Sequence, residues 1–371
     1  MILWRFDYIG KDCALPSYNK RVFVVCALVL TCIGIVFIYS ASNYWAKVQY
    51  PDAMPFYLKQ LMYVVMALIL AWFVGRKSHW SSRFWRTSYI IAIILLIAVL
   101  IPGIGVERNG SRSWIDLQLF TVQPAEIAKI TTLILLSERL AKWKRGKSII
   151  HWHHFAIIFA PVFLIMLQPD FGSAFILIVS SFILLFIANY PLKFYITVIF
   201  VSMISGIMAI MSAPYRLKRI TAFLNPWEDP LGSGFQAVQS LLAIGPAGLF
   251  GHGYLKSRQK YLYLPEPQND FIFAIILEEV GFVGGFIIVC IFACFLYSGF
   301  RLAVSQLERT SFYIIASLVC MLTFQIALNI GVVVGVLPVT GVTLPFISYG
   351  GTSLILTWLV VGIIYSYGKN N

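Results

Sequence analysis

Val22–Ala41 reads VFVVCALVLTCIGIVFIYSA, twenty residues without a charge. As a helix, a run of this length spans roughly 30 Å, the thickness of a bilayer's hydrocarbon core. It is longer than the roughly 7–15-residue apolar core of a cleaved signal peptide, so it reads as a first membrane span. Its apolar residues are continuous and do not alternate, which predicts a helix rather than a strand of a membrane barrel. Further apolar runs follow along the chain. They predict spans at about 57–75, 88–103, 123–137, 154–168, 171–190, 193–213, 270–297, 311–336 and 353–368. The expected fold is an all-α integral membrane protein: a polytopic bundle of about ten helices in one domain, 1–371. The only long hydrophilic interval, about 214–269, joins helices 7 and 8.

Composition supports this class. Of the 371 residues, 60% are hydrophobic and 12% charged, and mean hydropathy is +0.84. A soluble domain has roughly twice that charge and about 45–50% apolar residues. The net charge of +13 would point to nucleic acid in a soluble protein. In a membrane protein, Lys and Arg in cytoplasmic loops set orientation, so no nucleic-acid partner is expected. With the N-terminus cytoplasmic, seventeen of the 28 basic residues fall on the inner side, in dense clusters such as Arg76, Lys77, Arg83 and Arg86. Both termini are then cytoplasmic and the long loop is extracytoplasmic. That loop carries Arg216, Lys218, Arg219, Lys256, Arg258 and Lys260. Two readings stand for this cluster, contact with lipid headgroups and binding of a phosphate-bearing substrate.

Acids are scarce, 15 in all, and those near or within spans are costly to bury without a partner. Glu126 and Lys129 are three residues apart on one helical face and can pair, as a packing ion pair or as part of a substrate cavity. Asp170 suits a helix N-cap. Asp270 enters the eighth span through Leu264-Pro265-Glu266-Pro267-Gln268-Asn269-Asp270. It could cap that helix. Hemmed by apolar groups at the water–lipid boundary, it could equally have a raised pKa and act as a general base. Glu278 and Glu279 lie roughly 12–14 Å deeper along the helix, where structural partners are expected.

The tract His151-Trp152-His153-His154 looks like a metal site but sits where His and Trp commonly meet an interface. Five of the six cysteines lie in apolar runs and no C-x-x-C pair occurs, so neither a disulfide framework nor a metal site is expected. Three Gly- or Pro-rich segments resist helix formation: Asn109–Ile115, Gly232–Gln236 and Pro345–Ser353. Irregular backbone at membrane depth is tolerated only where it is buried in protein or lines a cavity. Together with the cationic loop and Asp270, these segments converge on the outer face, as an active site or a substrate exit.

The chain resembles the shape, elongation, division and sporulation (SEDS) family, the FtsW/RodA/SpoVE group. The resemblance runs through Asn225-Pro226-Trp227, Asp229-Pro230, Gly234, Gln236, Gln239-Ser240, Ala243-Ile244-Gly245, Gln259-Lys260, Leu264-Pro265-Glu266, Asp270-Phe271-Ile272-Phe273 and Glu278-Glu279-Val280-Gly281. Earlier matches are Asn109-Gly110, Arg112, Trp114-Ile115, Gln123-Pro124, Glu126, Lys129 and Gln168-Pro169-Asp170. Later ones are Pro338-Val339-Thr340-Gly341, Leu344-Pro345-Phe346 and Ser348-Tyr349-Gly350-Gly351. The Asn225–Gln236 stretch is most similar to the SpoVE and FtsW branches. Departures are Ser113 for a second Arg, Gln118 for Gly, Ala125 for Ser and Ala247 for Gly.

What the resemblance implies is a ten-helix glycosyltransferase in the bacterial cytoplasmic membrane that polymerises lipid II, a disaccharide-pentapeptide on undecaprenyl pyrophosphate. The family's catalytic carboxylate matches Asp270, in the role of general base toward the acceptor's 4-hydroxyl. Candidate substrate-binding residues are Arg112, Glu126, Lys129, Arg216, Lys218, Arg219, Lys256, Arg258, Lys260 and Ser348, the cations among them offering to stabilise the leaving pyrophosphate. No cofactor is certain, and a divalent cation, Mg or Mn, is an open expectation. The implied partner is a class B penicillin-binding protein, a transpeptidase, alongside other divisome, elongasome or spore-cortex membrane proteins. The rival readings are a lipid II flippase and a scaffold for the transpeptidase. A flippase needs polar residues along its full depth, whereas those here crowd the outer face. A scaffold has no need of Asp270.

Overall fold

A computed structural model describes residues 15–49, 54–77, 80–108, 111–116, 121–143, 152–191, 194–197, 223–232 and 234–368. It is helical, and nine of the ten expected spans are helices among these residues. They are α1 (Leu15–Gln49), α2 (Phe56–Arg76), α3 (Ser82–Ala98), α4 (Pro124–Lys142), α5 (Trp152–Leu167) and α6 (Phe171–Ile187). After a shorter helix α7 (Phe235–Ile244) come α8 (Ile272–Val304), α9 (Arg309–Val333) and α10 (Gly351–Tyr367). The seventh expected span, 193–213, lies almost wholly outside the described residues. The helices at Ser17–Tyr44, Phe56–Arg76, Ile272–Val304 and Arg309–Val333 are long and apolar enough to cross a bilayer unaided. Their exposed flanks carry large apolar side chains such as Ile69, Trp72, Phe73, Phe282 and Phe286. Such a surface is stable only against lipid. The chain is a polytopic membrane protein.

The core lies around α9 and α4. α9 packs on α8, α4, α6 and α10, and α4 on α3, α5, α6 and α9. α4 holds Glu126 and Lys129, charges that a lipid-facing span would not tolerate. It needs no apolar surface of its own because neighbouring helices wrap it almost completely. Elsewhere α1 packs along α8, and α2 along α10. Phe23 stacks on Phe295 with ring centroids 4.4 Å apart, and Phe346 closes edge-on to Phe295.

Two elements depart from the sequence reading. The third span was expected to reach residue 103, but α3 stops at Ala98, ahead of Pro102 and Gly103. Ser111–Ile115 of the Asn109–Ile115 segment, expected to be irregular, belong instead to a three-stranded antiparallel sheet of β1 (Gly105–Arg108), β2 (Ser111–Asp116) and β3 (Thr121–Val122); the Asn109-Gly110 pair lies outside the described residues. Val106 pairs with Trp114, and a bulge follows before Glu107.

A further departure is inside α8. Gly281 sits at φ 68° and breaks the helix. The 248–253 segment crosses the helix there. His252 and Gly253 donate to the carbonyls of Glu278 and Glu279 at 3.0 and 2.9 Å, and Phe282 and Val283 donate to Gly248 and Leu249 at 3.0 Å each. The loop thus satisfies the backbone groups that the break frees, as burial demands. A Cβ on Gly281 would lie 2.3 Å from the Gly251 nitrogen, so the crossing requires glycine.

Candidate active site

At the end of the bundle that carries the long loop, a cavity of about 1370 Å³ opens between the helix ends. The N-terminal turns of α2, α4 and α6 form three of its walls. The sheet, α7 and its lead-in, residues 265–270 and the 334–353 segment form the others. Among the described residues, none from the opposite end of the bundle lines it. The three Gly- and Pro-rich segments singled out in the sequence all contribute to it.

Asp270 stands on this wall, two residues ahead of α8. The helix is capped at Phe271 and not by the Asp270 side chain, so the capping alternative falls away. Asp270 keeps some exposure to the cavity as a residue, yet its carboxyl is surrounded by protein. Loss of hydration raises its pKa from the ordinary 3.8 to about 6, the neighbouring Glu266 charge adds to the rise, and its own main-chain amide opposes it. At neutral pH such a group is mostly ionised and ready to accept a proton. Glu266, a residue the sequence reading did not weigh, is held in turn by the Asn269 amide at 2.6 Å.

The other acids have separate duties. Asp170 caps α6 by accepting from the Ser173 amide at 3.0 Å, and Gln123 Nε2 donates to its second oxygen at 2.9 Å. Glu126 and Lys129 form a 2.8 Å ion pair. Lys129 is fully buried and ties α4 internally through this pair, while Glu126 lines the cavity. Glu278 and Glu279 have the structural partners expected of them. Glu278 accepts from the Ser257 hydroxyl at 2.5 Å and the Arg258 amide at 2.8 Å, and Glu279 from the Ser40 hydroxyl at 2.5 Å.

Several expected substrate ligands stand elsewhere. Lys260 is buried, its ammonium 3.3 Å from Glu279 and donating to the Leu255 carbonyl at 2.5 Å. It is a clamp inside the protein. Lys256 and Arg258 are exposed but do not line the cavity, and Arg112 pairs with Glu107 at 3.6 Å on the sheet. Ser348 is buried, and its hydroxyl accepts from the Leu344 amide at 2.8 Å to hold a turn; its neighbours Tyr349, Gly350 and Gly351 line the cavity instead. Arg216, Lys218 and Arg219 lie outside the described residues. In the His tract, His154 is a core residue with Nδ1 3.3 Å from the Tyr190 hydroxyl.

The sequence reading missed Lys59. It sits in the first turn of α2 and is the one Lys or Arg among the described residues that line the cavity. Its signal in the sequence was a lone cation at the end of a span away from the dense basic clusters. Among the described residues no three His, Cys, Asp or Glu side chains converge as a ready metal site.

The chain is similar along most of its length to known proteins. The sequence profile of the FtsW, RodA and SpoVE cell cycle proteins matches residues 20–371. The chain belongs to this family. It is 40% identical over 352 residues to Stage V sporulation protein E of Bacillus subtilis, covering 93% of this chain and 96% of the relative. It is 38% identical to a protein of Saccharophagus degradans named "Probable peptidoglycan glycosyltransferase FtsW", covering 91% and 89%. Among solved structures, a chain from a peptidoglycan synthase complex that coordinates polymerization and crosslinking is similar, with TM-score 0.76, 29% identity and coverage of 93% and 96%. The rod shape determining protein RodA of Thermus thermophilus superposes with TM-score 0.66 at 25% identity, covering 93% and 95%.

Proposed function

We propose that this FtsW/RodA/SpoVE-family protein is a peptidoglycan glycosyltransferase that polymerises lipid II on the outer face of the cytoplasmic membrane, in division or sporulation. The observation that carries this is the desolvated Asp270 carboxyl on the wall of a large cavity at the loop end of the bundle. Asp270 takes the proton from the acceptor's 4-hydroxyl. The freed oxygen attacks the anomeric carbon of the growing chain, and the lipid pyrophosphate leaves. A base with a pKa near 6 suits this task because it is ionised at working pH yet basic enough to accept a proton in the transition state.

The leaving pyrophosphate needs positive charge. Lys59 supplies it from the α2 wall, and Arg216, Lys218 and Arg219 are the loop cations that join it. Lys260 and Ser348 act in this proposal as structural residues. If a divalent cation, Mg or Mn, takes part, Glu266 on the cavity wall is the residue that would hold it beside the substrate's phosphates. It would neutralise charge developing on the leaving group. A class B penicillin-binding protein is the expected partner, and both termini are cytoplasmic in this reading.

The flippase reading would need polar groups reaching through the bundle. The cavity stops at the first turns of α4 and α6, which favours a transferase. The test is polymerisation of purified lipid II by the purified protein with and without its cognate transpeptidase, with Asp270→Asn alongside. Glycan strands from the wild type and none from a folded Asp270→Asn support the proposal. Normal polymerisation by Asp270→Asn sinks the assignment of the base. An inactive wild type whose vesicles translocate lipid II would favour the transporter.

A further inference from the structure

Asn329 sits in the last turns of α9 and is 1% exposed. A carboxamide is expensive in the middle of a buried apolar helix unless its hydrogen bonds are made. Here both hydrogens of Nδ2 are used on partners outside the helix. One bond goes to the Asp270 carbonyl at 2.7 Å and the other to the Val342 carbonyl, also at 2.7 Å. Asp270 and Val342 belong to different walls of the cavity. A single side-chain nitrogen therefore ties the base-bearing segment to the 338–343 loop. A second tether acts nearby, where the Tyr349 amide donates to the Gln268 carbonyl at 2.8 Å. The Asn329 oxygen is buried and has no hydrogen-bond partner among the described residues. A side chain kept only for packing would not carry that cost, and leucine would fill the space without it. What leucine lacks is the pair of donors.

We propose that Asn329 is a positioning residue for glycosyl transfer: by fixing the Asp270 main chain against the 338–343 loop, it sets where the Asp270 carboxyl stands relative to the acceptor. This rests on the reading of Asp270 as the base. Asn329 touches no reacting atom, so its effect belongs to the chemical step rather than to substrate affinity. A misplacement of about 1 Å of a catalytic group costs on the order of a hundredfold in rate. Gln325, one turn earlier on the same face of α9, offers an internal comparison. Its Nε2 reaches the Thr343 carbonyl at 3.4 Å but not Asp270.

The test measures initial rates of lipid II polymerisation across lipid II concentrations. It uses the full chain in complex with its transpeptidase, as wild type, Asn329→Leu, Asn329→Asp, Gln325→Leu and Asp270→Asn. Asn329→Asp keeps the volume while replacing the donor nitrogen with an acceptor, so it reads the hydrogen bonds even where Asn329→Leu fails to fold. Both Asn329 variants are expected to lose kcat by about a hundredfold with KM within about threefold, and Gln325→Leu to stay within about threefold in both. A raised KM with intact kcat in the Asn329 variants overturns the proposal. So does an equal loss from Gln325→Leu, or failure of both Asn329 variants to fold, since either makes Asn329 a packing residue. Wild-type turnover in Asn329→Asp beside a dead Asp270→Asn removes the positioning role alone. Wild-type turnover in Asp270→Asn removes the base, and the positioning role with it.

Discussion

Replacing Asp270 by Asn removes a charge and almost nothing else, and its effect on stability follows from the burial of the carboxyl. Desolvation lifts the group from 3.8 to about 6. That difference makes its ionised form cost up to about 3 kcal/mol more in the folded protein than in the unfolded chain. The folded pKa is the higher of the two, so the folded state holds the proton more tightly. The penalty is absent below about pH 4, grows as pH rises toward 6, and is complete above it. Asn carries no charge at any of these pH values. Asp270→Asn is therefore expected to match the wild type in stability at pH 4 and to exceed it by up to about 3 kcal/mol at pH 7.5. For a chain of this length that is roughly 4 °C in thermal midpoint. The assay is the thermal midpoint of the detergent-solubilised protein, followed by tryptophan fluorescence from pH 4 to pH 8 in parallel. Taking the difference between the two proteins cancels every other titrating group. A gain that does not change with pH, or a loss at pH 7.5, would refute the reasoning, because the carboxyl would then be solvated or paired. The same group predicts that polymerisation by the wild type falls as pH drops through about 6, when the base becomes protonated.

Other substitutions separate the roles assigned above. Lys59→Ala should lower kcat/KM for lipid II by about ten- to a hundredfold, with Lys59→Arg retaining most of it, since the cation is what matters; an unchanged rate would remove Lys59 from the site. Glu126→Gln leaves the buried Lys129 ammonium without its carboxylate and should destabilise by about 3–5 kcal/mol, while Glu126→Gln with Lys129→Met should recover much of the loss in the same melting assay. Gly281→Ala places a methyl against the Gly251 backbone at a positive φ; monodisperse protein on size exclusion should be largely lost, and a normal yield would show that the crossing can relax. Lys260→Met should cost stability with KM for lipid II unchanged, because the ammonium clamps Glu279; a raised KM would return Lys260 to the substrate site.

Much of this protein is legible in its sequence because a membrane permits few solutions. Val22–Ala41 declares a helix by length and composition alone, and the same logic located eight further helices to within several residues. It worked less well for α4. Hydropathy measures contact with lipid, and α4 is sheltered by protein, so Glu126 and Lys129 carried no penalty that the pattern could anticipate. The sheet was missed because a strand pair sitting on the end of a bundle has no lipid-facing run to announce it. The site divides in the same way. Asp270 was legible as an acid stranded among apolar residues at a span boundary. Lys260 was misread because sequence reports a positive charge but not its partner, and Glu279 is nineteen residues away along the chain. Asn329 was overlooked because a single amide within an apolar helix looks like tolerated noise. Its meaning lies in two carbonyls from distant segments that only folding brings to it.

The charges on the cavity wall bear on how the reaction is driven. Base and leaving group ask for opposite fields. A carboxylate becomes a better base when it is buried beside another carboxylate, as Asp270 is beside Glu266. A departing pyrophosphate requires cations. Of the five acids on the wall, Glu126 is cancelled by Lys129, and Asp170 is engaged by the Ser173 amide and Gln123. Among the described residues that line the cavity, Glu266 and Asp270 alone still outnumber Lys59. The cavity is thus poised for proton abstraction but carries the wrong sign for an anionic lipid. The missing positive charge must arrive with the substrate, as a divalent ion on its phosphates, or from Arg216, Lys218 and Arg219, which precede the cavity residue Phe223 by only a few positions in the chain. Any such cation near Asp270 also favours its ionised form. A cation in excess of the lipid's own negative charge would therefore draw the Asp270 pKa somewhat below its value in the empty cavity. The acid limb of kcat, which reports the loaded enzyme, should lie below that of kcat/KM, which reports the free one. In this view the acidity of the empty cavity and its need for cations are one device: the charge that steadies the leaving group also ensures that the base is ionised when the acceptor arrives.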